Sequence, residues 1–287
     1  MQTHAERAAK LSIGGVEVTP LWDGTLNAKL ESILDFAPSE AKRLIDVATT
    51  ATGVDPLVLP VRAFLVRTAA HLVLIDTGSG STKGPTMGHL QSSLAAIGVA
   101  AEAIDAVLLT HLHMDHIGGL TDGRGRPAFP NAELVLHRRE AEYFLDTPAS
   151  QLDDRSARHI AVQRAFVGAY APRIRRVTDG ECLPGISAHL APGHTPGHSI
   201  WRIGPPEAGV VVLGDVVHLA AIQLPRPLVP MIYDVDPEQA GRTRLALLNE
   251  AARSGALVAG AHLPAPGLGY IVRQGDEFAF QPYREPD

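Results

Sequence analysis

Residues 110–120 read THLHMDHIGGL. Three histidines and an aspartate, His111, His113, Asp115 and His116, stand just ahead of the pair Gly118-Gly119. In an extended segment, residues two apart share a face. His111 and His113 are therefore expected to point the same way, with Asp115 continuing that direction and His116 on the following turn. The glycine pair is expected to let the chain bend tightly there. The apolar run AVLLT, residues 106–110, reads as a short buried strand that delivers these groups to its end. Imidazole and carboxylate together suit Zn, Mn, Fe or Co. A hydrogen-bonded histidine cluster is the competing reading, but it does not call for four coordinating groups packed so closely.

Four donors on one short segment cannot encircle a cation alone. Three later strand ends offer the rest: His194 in HLAPGHTPGHS, Asp215 in VVVLGDVVH and His262 in LVAGAHLP. Each follows an apolar strand and sits beside Gly or Pro, the usual place for ligand sites in α/β folds. Asp76, in LVLIDTGSG, occupies the same kind of position earlier in the chain.

The bulk composition permits this reading and excludes others. At 287 residues with 45% hydrophobic and 20% charged residues, the chain suits one large α/β domain, residues 1–287, with residues 1–10 expected to form a flexible tail. A net charge of −6 gives no general pull toward nucleic acid or anionic lipid. No run approaches the ~18 apolar residues of a membrane span. The N-terminus lacks the apolar core of a signal peptide, so a cytoplasmic location is expected. The single cysteine, Cys182, excludes an intrachain disulfide and reads as a small packed hydrophobe.

Strand patterns flank the motif on both sides. LSIGGVEVTPLWDGTL and PLVLPVRAFLVRTAAHLVLIDTG read as hairpin pieces, with helix and loop over residues 30–52 between them. MGHLQSSLAAIGV places Leu90, Leu94 and Ile97 on one helical face, stopped by Gly98. ELVLH reads as a strand, followed by helices in RREAEYFLD and over residues 152–170. ISAHLAPG, SIWRIG and GVVVLGDVV read as three more strands. A helix opens with Asp236 as cap and Pro237 at its first position, and carries Leu245, Leu248 and Ala252 inward. LVAGAH is a last buried strand, and GYIVRQGDEFAFQP a closing hairpin. The basic run at residues 173–176 reads as a solvated face.

Taken in order, IDTG, THLHMDHIGG, APGHTPGHS, VLGDVV and GAH resemble the metallo-β-lactamase superfamily over nearly the whole chain. The resemblance implies a four-layer αββα sandwich with two divalent metal ions at one edge, zinc first, with Mn, Fe, Co or Ni as alternatives. Carried over by position, it implies that His111, His113 and His194 hold one metal. Asp115, His116 and His262 hold the other, Asp215 bridges the two, and Asp76 orients a ligand. It further implies that a hydroxide between the metals is the nucleophile, with Asp115 steering it.

PAFPNAEL, HRREAEYFLD, LPGI and GDVVHLAAIQ look most like the branch containing methyl parathion hydrolase and the N-acyl-homoserine lactone lactonases. That branch implies hydrolysis of neutral, fairly apolar esters, lactones or phosphotriesters, a small-molecule substrate with no nucleic-acid or membrane partner, and a homodimer. The alternatives are an iron-dependent redox enzyme of the same superfamily and a non-catalytic metal-binding module. His218 stands where the lactonases place a tyrosine that bonds the substrate carbonyl. It is a catalytic candidate, for instance as proton donor to a leaving alkoxide, against the plainer reading that it packs beside the ligands. Residues 219–234, LAAIQLPRPLVPMIYD, either pack as core-edge loop or line the substrate site. His198 reads as hydrogen-bonded near the site and not as a ligand.

Overall fold

The computed structural model describes residues 11–13, 15–82, 84–205 and 209–284; the tail expected at residues 1–10 lies outside them. The chain begins with β1 (Leu11–Ile13), β2 (Val16–Asn27), α1 (Pro38–Thr52), β3 (Val58–Arg67), β4 (Leu72–Ile75), α2 (Leu90–Ala96) and β5 (Ala106–Leu108). It continues with α3 (Met114–Ile117), β6 (Glu133–His137), α4 (Arg138–Ala141), α5 (Asp154–Gly168) and β7 (Ile174–Val177). The second half holds β8 (Gly180–Leu183), β9 (Ile186–Leu190), β10 (Ser199–Ile203), β11 (Val210–Val212), α6 (Ala220–Gln223), α7 (Pro237–Ser254), β12 (Leu257–Ala259), β13 (Leu268–Gln274) and β14 (Glu277–Pro282). β1 to β7 form one sheet in sequence order, and β14 to β8 form the other. The pairs β4–β5, β5–β6, β6–β7 and β11–β12 are parallel, and the remaining pairs antiparallel.

Alternation along the strands assigns each side chain to a layer. In β3 and β4, Phe64, Val66, Val73 and Ile75 pack between the sheets with Trp201, Ile203, Val210 and Val212 from the other side. Their neighbours Ala63, Leu65, Leu72 and Leu74 face outward against Leu90, Leu94, Ile160 and Val167 of α2 and α5. Val211 and Val258 turn outward beneath Leu248 of α7. Strands buried on both faces read as continuous apolar runs, as PVRAFLV and LVLI do. The result is helix, sheet, sheet, helix: the αββα sandwich. No helix among the described residues is long and apolar enough to cross a membrane.

Three local expectations are corrected. Asp115 does not continue an extended segment: His113 is the last extended residue, and Asp115 and His116 sit together in the single turn of α3. Gly118 has an ordinary helical φ of −62°, so its role is close approach. A Cβ there would lie 2.1 Å from the Ser79 carbonyl oxygen, and one at Gly119 2.1 Å from that of Thr77. Ile97 falls after the last turn of α2 and is exposed, because that helix ends at Ala96. The basic run at residues 173–176 keeps its arginines exposed or half-exposed, as expected, while its backbone forms β7 and pairs with β6.

Candidate metal centre

The donors gather at one edge of the sandwich, beyond the ends of β4, β5, β11 and β12. His111 is fully buried just past β5, and half-buried His113 precedes α3. His194 comes from the β9–β10 turn, Asp215 from the residues after β11 and His262 from those after β12. His194 Nε2 lies 3.2 Å from His111 Nε2 and 2.8 Å from His113 Nδ1, so three ring nitrogens converge on one point. Asp115, His116, Asp215 and His262 form a second group of four. There Asp215 Oδ1 is 3.0 Å from His116 Nε2 and 3.3 Å from His262 Nε2. Asp115 Oδ2 is 3.8 and 3.5 Å from the same two nitrogens. The other oxygen of Asp215, Oδ2, faces the first group, 3.7 Å from His111 Nε2 and 3.5 Å from His194 Nε2. All seven residues singled out as metal ligands are thus brought together, with Asp215 between the two groups.

Outer partners set which nitrogen of each ring faces inward. His116 Nδ1 donates to Asp76 Oδ2 (2.8 Å), His194 Nδ1 to Asp234 Oδ1 (2.9 Å) and His262 Nδ1 to the Pro60 carbonyl (2.8 Å). The Thr110 hydroxyl donates to Asp76, so it accepts from His111 Nδ1 at 3.0 Å. In all four rings Nε2 points at the centre, where it offers its lone pair in the neutral form. His198 is not among the converging donors. Its Nδ1 donates to the Ala191 carbonyl, and its Nε2 accepts from the Asp215 backbone N–H at 3.0 Å.

Electrostatics separates the groups. Burial, reinforced by the neighbouring histidines, holds His111 and His194 well below the ordinary histidine range, and burial lowers His113 to about 4. In the second group burial also opposes charge but is outweighed. Asp215, Asp76 and Asp115 raise His116 well above its usual range, and the carboxylates of Asp215 and Asp115 lift His262 to about 10. Burial pushes the Asp115 carboxyl up, yet His116 and His262 hold it below the usual carboxylate range. His116 Nε2 and Asp215 Oδ1 are buried, and neither makes a hydrogen bond. Converging lone pairs, a carboxylate-rich pocket that attracts positive charge and orphaned buried polar atoms fit a pair of divalent cations.

The metallo-beta-lactamase superfamily model matches residues 56–262. The chain belongs to this superfamily. In three dimensions the superfamily hydrolase AbOPH resembles it with a TM-score of 0.88 at 30% identity, covering 97% of this chain and 98% of that one. AidC, a dizinc quorum-quenching lactonase, gives a TM-score of 0.87 at 26% identity over the same shares of each chain. In sequence, an N-acyl homoserine lactonase of Bacillus cereus is 25% identical over 189 residues, 58% of this chain and 67% of that protein. A ribonuclease Z of Mycobacterium sp. (strain KMS) is 45% identical over 180 residues, 55% of this chain and 56% of that protein. The chain therefore spans about two thirds or less of these curated relatives' length.

Three buried charged residues at this superfamily centre escape a reading of the sequence. Asp234 orients His194, and its Oδ2 accepts from the Met231 N–H. A carboxylate ending the apolar run MIYD was the available signal. Arg244, fully buried on α7, donates to the carbonyls of Val216, Pro227 and Val229, and its Nη2 lies 3.7 Å from Asp234. Burial lowers its guanidinium to about 10 against the opposing pull of Asp234. Glu140, in the polar-looking RREAE, is buried too, and burial raises its carboxyl to about 7 against three hydrogen bonds that lower it. Nothing in a helical charge pattern distinguishes it from a surface glutamate.

Proposed function

We propose that the chain is a dinuclear metal-dependent hydrolase of neutral, fairly apolar esters, lactones or phosphotriesters. The observation that carries this reading is Asp215, one oxygen turned to each group of nitrogens. His111, His113 and His194 would hold one cation and Asp115, His116 and His262 the other, zinc being the first choice for imidazole-rich sites. When bound, such a pair supplies Lewis acidity and lowers the pKa of a held water from 15.7 toward ~7. Asp76 and Asp234 keep His116 and His194 in the productive tautomer. Ionised Asp115, at the half-buried edge of the centre, can accept a hydrogen bond from an attacking water and steer it.

His218 enters the proposal as the proton donor to the leaving oxygen. Its Nε2 lies 2.9 Å from Asp215 Oδ2, its ring stacks on His262 with centroids 5.6 Å apart, and its Nδ1 is buried with no hydrogen-bond partner. The segment 219–234 bears on substrate choice. Leu219, Ile222, Leu224 and Met231 pack as core, whereas Leu228, Ile232 and Tyr233 are exposed. Tyr233 stands 6.1 Å, ring to ring, from His218, placing an aromatic face beside the centre that favours an uncharged organic substrate. The likeness to ribonuclease Z raises RNA as a second reading, which the net charge of −6 disfavours. Cytoplasmic location and homodimerisation belong to the same proposal.

The test loads the protein with metal, counts the metal, and compares kcat/KM across aryl esters, acyl-homoserine lactones, phosphotriesters and a structured RNA, with and without chelator. Activity on one of the first three classes that chelator abolishes supports the reading. Full activity in metal-stripped protein, or cleavage of RNA alone, defeats it. His218→Ala is expected to lower kcat by roughly 10²-fold, the low end for general acid catalysis; an unchanged kcat removes His218 from the mechanism.

A further inference from the structure

Glu140 holds a carboxylate that the proposed reaction does not use. It is 1% exposed, and its hydrogen-bond partners are all neutral. Oε1 accepts from the Leu112 N–H at 2.8 Å. Oε2 accepts from the Thr195 hydroxyl at 2.7 Å and the Gly197 N–H at 3.1 Å. Burying a carboxylate without a counter-ion is costly, and a methionine or leucine would fill the same space in an ordinary core. The position of its partners suggests why it is there. Leu112 lies between His111 and His113, and Thr195 directly follows His194. One acceptor-only side chain thus ties together the two turns that carry the three-imidazole group.

The packing around it is close. A Cβ at Gly197 would fall 1.9 Å from the Glu140 backbone nitrogen, so the start of α4 lies directly on the His194 turn. α4 is in turn fixed to β6 by the His137 ring, which accepts from the Arg139 N–H. The rings of the other group hang on other partners: His116 on Asp76, which also accepts from the Thr110 hydroxyl beside His111, and His262 on the Pro60 carbonyl.

We propose that Glu140 is a positioning residue that sets the span between the His111–His113 turn and the His194 turn, and so tunes metal affinity in that half of the centre selectively. This rests on the two-cation reading above. The carboxylate suits the task because three donors converge on it and its ionised form offers only acceptors. In Glu140→Gln an amide NH2 must face one of those donors, which pushes one turn away while leaving the side-chain volume nearly unchanged.

The test dialyses zinc-loaded protein against increasing chelator and measures zinc retained per chain by elemental analysis. The wild type is compared with Glu140→Gln, Thr195→Val, His194→Ala and Leu94→Ala. His194→Ala marks which equivalent belongs to the three-imidazole half. In Glu140→Gln that equivalent is expected to leave at roughly 10- to 100-fold lower chelator, the range for losing an outer-shell partner, with the second equivalent unmoved. Thr195→Val should shift the same step less, and it decides the matter if Glu140→Gln does not fold. Leu94→Ala, a core variant in α2, should lower stability while leaving the two steps unshifted relative to each other. Equal loss of both equivalents in Glu140→Gln and Thr195→Val, or no shift in either, overturns the proposal. A wild type that never holds two equivalents defeats the two-cation reading itself, and Glu140 falls with it.

Discussion

The two halves of the centre share Asp215 but are built on opposite electrostatic plans. His111, His113 and His194 have no carboxylate within their own group, and burial keeps them neutral. Around His116 and His262, the carboxylates of Asp115 and Asp215, with Asp76 behind His116, outweigh the same burial and draw protons onto the rings. Neutral imidazoles are ready donors at neutral pH. The second half must release protons before its nitrogens can bind a cation, so its affinity is linked more steeply to pH. One half is preorganised by burial, the other by charge.

The largest effect should come from the residue that joins them. Asp215→Asn weakens the negative charge facing both groups, and metal content is expected to fall in both halves. Breaking a buried charge network costs ~3–5 kcal/mol, on the order of 10²- to 10⁴-fold in affinity. If only one equivalent is lost, Asp215 belongs to one half alone. Next come the two orienting carboxylates. Asp234→Asn should weaken the three-imidazole half, and Asp76→Asn chiefly the other, with a smaller effect through the Thr110 hydroxyl that holds His111, each by roughly 10- to 100-fold in its main half. Elemental analysis after partial chelation separates them, and identical losses would erase the distinction drawn here.

A smaller effect appears in the metal-free protein's melting curve. His113, lowered to about 4, is neutral in the folded chain and charged in the unfolded one between about pH 4 and 6.5. Its contribution therefore grows as pH rises through that window and is lost as pH falls through 4. His198, also lowered to about 4, acts in the same sense, while Glu140, raised to about 7, runs the other way. His262, raised to about 10, stabilises fully below pH 6.5, and that stability is lost as pH rises through 10. Tm should thus climb on the acid side and fall on the alkaline side, and His262→Ala should flatten only the alkaline limb. A variant that flattens both would show that the halves titrate as one unit. The smallest effect concerns metal binding itself: between pH 6 and 8, the affinity of the second half should change more than that of the first, as read by competition with a chelator of known pH dependence.

The donors of the centre were legible in the sequence, but not this contrast between its halves. The four donors of residues 111–116 and the strand ends at His194, Asp215 and His262 marked the centre, because coordinating side chains next to Gly or Pro after apolar runs have few other uses. Strand patterns anticipated the individual strands, apart from β7 and β8, whose polar residues hide pairing with β6 and β9, and the family resemblance implied their two sheets. The helical placement of Asp115 was hidden as well, since a four-residue helix leaves no periodic trace. Asp234, Arg244 and Glu140 were missed for another reason. A charged residue declares its burial only through its partners, and these lie 28 positions away for Glu140 and Leu112 and 40 for Asp234 and His194.

The amino-acid order alone determined which chemical groups were available and which turns carried them: imidazoles and carboxylates at the tips of apolar strands. Only the tertiary structure decided how those groups divide their charge. Neutrality or protonation of each ring follows from burial and from carboxylates brought close by folding, and His262 meets its Pro60 acceptor across 202 residues of chain. Local sequence sets the donor; the desolvated surroundings that tune it exist only once distant segments close around it.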